Sequence, residues 1–276
     1  MDLIVFDLDG TLLNASAQIS PYTRKTLSLL AEKGILFTVA TGRTLHSSRD
    51  VLANHSFKLP QAYKNGVVIW NPEQNLYSHH NYLTVSEIEH VLEAIISQGL
   101  TPFMFTVAPG NVHGVYHPAL QTEVEHQLAA DIRKRDGVGV YPAAEMPGDA
   151  EITNISALGN PLAIDAIDAM IADEPGLVAF AGTAIEGAQF KWIDIHHIDA
   201  SKGNAVNVLK QELGVSRVLC FGDSDNDLSM FAVADEAYAP SNAKDVVKKA
   251  ATAVLGHHDE DSVARFLRQR FGLTED

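Results

Sequence analysis

Leu3-Ile4-Val5-Phe6-Asp7-Leu8-Asp9-Gly10-Thr11 sets the plan of the chain. A short apolar run, β-branched in part, stops at an aspartate; a second aspartate and a glycine follow. That order describes a buried strand with two carboxylates at its C-terminal end. Gly10 permits a sharp turn, and such a turn can aim backbone N–H groups at a ligand. Buried parallel strands present their ligand sites at this end. Asp7 therefore reads as a nucleophile and Asp9 as an acid/base.

Outward from this stretch the chain alternates. Ser20-Pro21 opens a helix, with Ser as N-cap and Pro at the first helical position, and Gly34 stops it. An apolar run at 35–40 ends in Thr41-Gly42-Arg43, and a helical stretch follows at about 45–52. This β-α-β-α start implies a parallel sheet with right-handed crossovers. Residues 62–77 read as two short strands around a turn, with Lys64-Asn65-Gly66 inside the first. Around Tyr82 the pattern restarts. Thr84-Val85-Ser86-Glu87 resembles a capping box before a helix, and strands at 101–107 and 112–116 flank a turn at Pro109-Gly110-Asn111. Helices at 119–135 and 161–172 alternate with strands near 138–141, 152–158, 178–181 and 190–195. The first pattern then returns: Ser201-Lys202-Gly203 opens a helix, and the run 217–221 ends in Gly222-Asp223-Ser224-Asp225-Asn226-Asp227. The expected organisation is α/β: a parallel-sheet domain from residues 1–81 and 191–276, interrupted by an α+β domain at 82–190.

Composition narrows the function. The formal net charge is -15 and no basic stripe exists, which disfavours nucleic acid as a partner. An acidic chain that takes a phosphorylated substrate needs a local cation: a metal, a lysine or both. The one cysteine, Cys220, lies in an apolar run and reads as a buried structural thiol. The first apolar run is too short for a signal peptide, and no stretch has the length of a transmembrane helix. A cytoplasmic protein with no membrane partner is expected.

Asp7-Leu8-Asp9-Gly10-Thr11, Thr41-Gly42-Arg43, Ser201-Lys202-Gly203 and Gly222-Asp223-Ser224-Asp225-Asn226-Asp227, in that order, resemble the four motifs of the haloacid dehalogenase (HAD) superfamily. Their spacing, with Lys64-Asn65-Gly66 and Asn242-Ala243, is similar to the class IIB, Cof-type phosphatases. The resemblance implies a Rossmann-like core with an inserted cap of the C2B type, and a Mg²⁺-dependent phosphatase of small phosphorylated metabolites. Sugar phosphates, pyridoxal phosphate or flavin mononucleotide are the substrates it implies. The expected state is a monomer or small homo-oligomer.

Asp7 would attack phosphorus and form an aspartyl-phosphate; Asp9 would protonate the leaving oxygen and then take a proton from water. That work favours an Asp9 carboxyl with a raised pKa, close to other carboxylates. By resemblance, Leu8, Thr41, Gly42, Lys202 and Asn226 bind phosphate. The metal is held by Asp7, Asp223 and the backbone carbonyl of Asp9, and Thr11, Arg43, Asn65 and Asp227 support the site. Asp227 would orient Lys202 or a metal-bound water.

Plainer readings exist for each residue alone. An aspartate after a strand is commonly a turn residue, Thr41 could cap the next helix, and Lys202 could be solvated. The run from Asp223 fits the first positions of a calcium loop, but Leu228 and Ala234 stand where Gly and Glu are required. His79-His80, His196-His197 and His257-His258 suggest metal pairs, yet neighbouring strand residues point to opposite faces, so surface or hinge roles are expected. His196-His197 is set apart by its place just before Lys202. Two alternatives keep the scaffold: a sugar phosphomutase, and a non-catalytic regulator that binds a phosphorylated metabolite.

Overall fold

The computed structural model describes residues 2–109, 112–134, 137–184 and 187–274, and the chain forms two units, 1–80 with 201–276, and 81–200. The expected turn at Pro109-Gly110-Asn111 lies partly outside the described residues. The first unit begins with β1 (Asp2–Phe6), α1 (Pro21–Glu32), β2 (Leu36–Val39), α2 (Leu45–Leu52), β3 (Gln61–Tyr63), β4 (Val68–Asn71) and β5 (Leu76–His80). The second contains α3 (Val85–Ser97), β6 (Phe103–Ala108), β7 (Val112–His117), α4 (Glu123–Arg133), β8 (Val138–Pro142), β9 (Glu151–Gly159), α5 (Pro161–Ile171), β10 (Leu177–Thr183) and β11 (Lys191–His197). The chain then completes the first unit with α6 (Lys202–Glu212), β12 (Arg217–Phe221), α7 (Leu228–Val233), β13 (Glu236–Ala239), α8 (Asp245–Ala250), β14 (Ala253–Val254) and α9 (Ser262–Phe271).

The first unit is built on a parallel sheet in the order β14-β13-β12-β1-β2. After their first residues, Asp2 and Arg217, its central strands β1 and β12 are apolar because both faces are covered. Leu3, Ile4, Val5 and Phe6 of β1 and Val218, Leu219, Cys220 and Phe221 of β12 are all buried. Cys220 is a free, buried thiol, as its surroundings in the sequence imply. Ser20 caps α1 by accepting from the Thr23 N–H at 3.0 Å. Helices α1 and α9 are clasped together. Asp261 Oδ1 accepts from Ser20 Oγ (2.5 Å) and Thr23 Oγ1 (2.9 Å), and Lys33 Nζ donates to the terminal carbonyls of Phe271 (3.2 Å) and Gly272 (2.9 Å).

The second unit has a sheet in the order β10-β11-β9-β6-β7-β8, antiparallel except for the β7–β8 pair. Ile88, Val91 and Ile95 of α3 and Ile164, Ile167 and Ile171 of α5 pack on Ile155, Ala157, Ile193 and Ile195 of this sheet. The strand β11 corrects the expected boundary at 190/191. It pairs with both β9 and β10, so residues 191–200 belong to the second unit and the chain returns to the first at Ser201.

The expected strand at 62–70 is also corrected. Lys64, Asn65 and Gly66 all have positive φ (49, 56 and 92°), which breaks the run into β3 and β4; β5 completes a small antiparallel sheet. A Cβ on Gly66 would lie 2.3 Å from the Ser201 carbonyl oxygen. The bend therefore needs glycine for its backbone angle and for the close approach of α6. Gly66→Ala is expected to lower stability by about 2–4 kcal/mol through overpacking and left-handed strain. Urea unfolding measures this, and a variant as stable as the parent would show that the α6 N-terminus can move aside.

Candidate active site

Asp7 follows β1 and Asp223 follows β12, so the pairing of these two strands brings the carboxylates to one end of the sheet. The Asp7 N–H donates to the Phe221 carbonyl at 2.8 Å and continues the ladder. Beyond it the chain turns at Gly10, whose φ is +73°. A Cβ at Gly10 would sit 2.5 Å from Asp223 Oδ2, so glycine admits the second carboxylate. Thr11 Oγ1 donates to Asp223 Oδ1 at 3.5 Å. The Leu8 side chain is buried in the core, which leaves only its main chain to meet a ligand.

Lys202 lies at the first position of α6, whose N-cap is Ser201, accepting from the Asn204 N–H at 3.1 Å. Its ammonium is fully buried between two carboxylates, 2.6 Å from Asp7 Oδ1 and 2.6 Å from Asp227 Oδ1. The solvated reading of Lys202 is thereby excluded. The depth at which α6 sits comes from Gly203: a Cβ there would be 2.3 Å from the Ser229 carbonyl oxygen of α7. Asp227 is wholly buried and its other oxygen, Oδ2, accepts from the N–H groups of Asp223 (2.8 Å) and Ser224 (2.9 Å). One side chain thus shapes the loop after β12 and anchors the lysine.

The charges are unbalanced. Burial, with the negative charges of Asp227 and Asp223, raises the Asp7 carboxyl well above the usual carboxylate range despite the attraction of Lys202. Burial and then Asp227 push Asp223 up to about 6. The two carboxylates hold the Lys202 ammonium protonated, above the ordinary lysine range, although burial opposes them.

Oxygens of Asp7, Asp223 and Asp227 lie within 4.8 Å of one another, a spacing that a cation could bridge. Asp227 is already committed to Lys202 and two N–H groups, so Asp7 and Asp223 are the available pair. Two carboxylates of raised pKa, with oxygen donors alone, fit a hard divalent cation.

Thr41 heads the loop after β2. Its N–H donates to Ala62 O (3.0 Å) and its carbonyl accepts from the Asn65 N–H (2.9 Å). Its Oγ1 accepts from the Arg43 N–H at 3.1 Å, and the hydroxyl proton remains to donate. Thr44, not Thr41, caps α2. Asn65 Oδ1 accepts from Asn226 Nδ2 at 2.9 Å, and the Asn226 Oδ1 is buried with no hydrogen-bond partner among the described residues. Beside them, the space a Gly42 Cβ would take lies 3.2 Å from Asn65 Oδ1.

Asp9 departs from expectation. It is exposed, and its partner is a cation, Arg43, rather than other carboxylates. The crowded carboxylates are Asp7, Asp223 and Asp227.

The sequence reading singled out Asn242 and His257-His258 without their contacts, which come mostly from residues distant in the chain. Asn242 Nδ2 donates to Gly10 O (2.8 Å) while its Oδ1 accepts from the His258 N–H (3.2 Å), so it braces the turn after Asp9. His257 and His258 are off any strand, and their rings lie 4.7 Å apart. With Asp259 they form a second group whose donor atoms lie within 4.8 Å of one another, although several contacts already draw on it: His258 Nδ1 donates to Leu13 O at 2.6 Å, His257 Nδ1 accepts from the Asp259 N–H at 3.3 Å, and Asp259 Oδ1 accepts from the Ala15 N–H at 2.6 Å. Among the strand histidines, His196 is buried and His197 half-buried, as opposite faces of β11 require.

The sequence profile of the haloacid dehalogenase-like hydrolases matches residues 4–267, and the chain belongs to that family. It is 28% identical over 278 residues to the 5-amino-6-(5-phospho-D-ribitylamino)uracil phosphatase YitU of Bacillus subtilis (strain 168), covering 98% of each chain. It is 24% identical to the pyridoxal phosphate phosphatase YbhA of Escherichia coli (strain K12), covering 96% of this chain and 97% of that one. It shares its fold with the HAD subclass IIB sugar phosphatase BT4131, at a TM-score of 0.74 and 19% identity, over 99% of this chain and 100% of that one. Among the described residues no helix is long and apolar enough to cross a membrane.

Lys202→Met is expected to cost about 3–5 kcal/mol, because it leaves two buried carboxylates without a cation. Asp7, whose carboxyl burial already raises, should then bind its proton still more tightly in the folded than in the unfolded chain. Part of the loss should therefore return as the pH falls from 7.5 toward 5. Urea unfolding at both pH values measures this. A small, pH-independent loss would contradict the assigned charges.

Proposed function

We propose that the protein is a Mg²⁺-dependent phosphatase that hydrolyses phosphate monoesters of small metabolites through an aspartyl-phosphate on Asp7. The observation that carries this reading is the burial of one lysine between Asp7 and Asp227 at the end of a parallel sheet, beside a second metal-competent carboxylate, Asp223. Asp7 attacks phosphorus in line with the departing alcohol. Lys202, the Thr41 hydroxyl, the Gly42 N–H and the Asn226 amide bind the phosphoryl oxygens. Asp9 gives a proton to the leaving oxygen, then takes one from the water that releases phosphate. Asp227 keeps Lys202 in place, and Asn65 orients Asn226. The Asp7 and Asp223 carboxylates, with the Asp9 backbone carbonyl, would hold Mg²⁺, which neutralises charge where the phosphate and Asp7 meet. The names of the relatives support substrates in the class of ribitylaminouracil phosphates and pyridoxal phosphate.

A panel of phosphorylated metabolites, scored by kcat/KM and phosphate release, tests the reading. Asp7→Asn should reduce turnover of every substrate, p-nitrophenyl phosphate included, by at least on the order of a thousandfold. Wild-type turnover in the variant would refute the mechanism. A separate binding test uses the charge on Asp223. A carboxyl with a pKa near 6 is largely ionised at pH 7.5 and open to a divalent ion. Mg²⁺ at one hundred times its dissociation constant should stabilise the folded chain by about 2.7 kcal/mol, and Asp223→Asn should remove most of that gain. Thermal melts with EDTA and with Mg²⁺ read it directly; equal stabilisation of the variant would place the ion elsewhere.

A further inference from the structure

Arg43 grips Asp9 at two points. Arg43 Nε lies 2.6 Å from Asp9 Oδ2, and Nη2 lies 2.5 Å from Asp9 Oδ1. The Asp9 side chain is 58% exposed and that of Arg43 21%. Ion pairs so open to water add little to fold stability. An exposed aspartate left alone would also sample several rotamers. What a planar guanidinium supplies at such a place is direction, because both of its contacts lie in one plane with the carboxylate.

Arg43 is itself fixed. Its N–H donates to Thr41 Oγ1 (3.1 Å), its carbonyl accepts from the Lys64 N–H (2.9 Å), and Nη1 donates to Ser47 O (3.3 Å). The Lys64 N–H comes from a bend in which two consecutive non-glycine residues, Lys64 and Asn65, hold left-handed angles. Backbone strain of that kind persists where surrounding contacts over-determine it, commonly at functional sites. The grip therefore ties the Asp9 carboxylate to the loop that carries Thr41 and Gly42.

We infer that Arg43 is the positioning residue for Asp9, setting the direction from which the carboxyl meets the leaving oxygen. The inference rests on the phosphatase reading above. In the first step a bond forms from Asp7 Oδ to phosphorus as the ester P–O bond breaks. The electron pair stays on the departing oxygen, which receives the Asp9 proton. In the second step the water oxygen bonds to phosphorus, the P–O bond to Asp7 breaks, and the proton lost by water goes to Asp9. Only one Asp9 oxygen can carry the proton. For a proton to sit on that oxygen one arm of the fork must let go, and the other arm then keeps the carboxyl tethered to Arg43.

The test compares two esters, p-nitrophenyl phosphate and phenyl phosphate. The p-nitrophenolate ion departs readily without a proton; phenolate is the stronger base and depends more on an acid. Arg43→Gln should lower kcat for phenyl phosphate on the order of a hundredfold, with a loss for p-nitrophenyl phosphate smaller by on the order of tenfold and KM little changed. Arg43→Lys, which keeps the charge and loses the fork, should recover only part of this. The double variant Arg43→Gln/Asp9→Asn should be no slower than Asp9→Asn alone, because an effect exerted through Asp9 vanishes with it. Equal losses on the two esters with a raised KM, or additive losses in the double variant, would show that Arg43 acts on the phosphate or the fold, and would overturn the inference. The Asp7→Asn experiment is independent: turnover surviving there removes the phosphatase reading itself, whereas additivity here removes only the role of Arg43. Asp9 is exposed and Arg43 half-buried, and unchanged thermal melts confirm that the variants are folded.

Discussion

An ammonium group with no exposed surface, held by two carboxylates, is the constraint on which the first unit depends. Lys202 cannot be buried without Asp7 and Asp227, and neither carboxylate is tolerable at that depth without Lys202. The three groups come from the loop after β1, the N-terminus of α6 and the loop after β12. Their mutual need fixes the relative position of all three elements. Apolar packing alone would set these elements less sharply, since hydrophobic contact has no direction.

The arrangement also explains why glycines stand where they do. Gly10 lets Asp223 approach the turn after β1, Gly66 lets α6 approach the bend after β3, and Gly203 lets α6 reach α7. Each removes a side chain at a point where backbone or carboxylate must come close. The ends of the strands can then converge closely enough for one ammonium to serve two carboxylates, with the third, Asp223, beside them.

Much of this was legible in the residues. An apolar run that stops at aspartate announces a buried strand with a carboxylate at its end, and the same pattern recurs at 217–223, where the structure brings the two carboxylates together. The α/β architecture followed from the alternation of such runs with capped helices. Other features depend on partners far away in sequence. Nothing near Asp9 reveals that Arg43 would hold it, so a crowded carboxylate was expected and an exposed ion pair was found. The bend at 64–66 was hidden because lysine disfavours the angles it adopts, and only the approach of Ser201 makes sense of it. The boundary at 190/191 failed because an apolar strand looks the same whichever sheet receives it; the pairing of β11 with β9 and β10 settles the matter. The argument from opposite strand faces fits β11 and does not apply at 257–258, where the chain is not extended.

The order of strands has a consequence for how the chain is made. β1 is internal: Leu3 pairs with Leu36 on one side and with Val218 on the other. The second unit, 81–200, is a continuous stretch and is fully synthesised before any residue of α6 or β12 exists. On a translating ribosome that unit can finish folding while the opening strand still waits for its other neighbour. Throughout that interval Asp7 is present and its lysine is not, so the aspartate has to stay hydrated and the strand end has to stay open. The opening strand thus gains its second neighbour, and Asp7 its lysine, only from residues that follow the whole insertion in the chain.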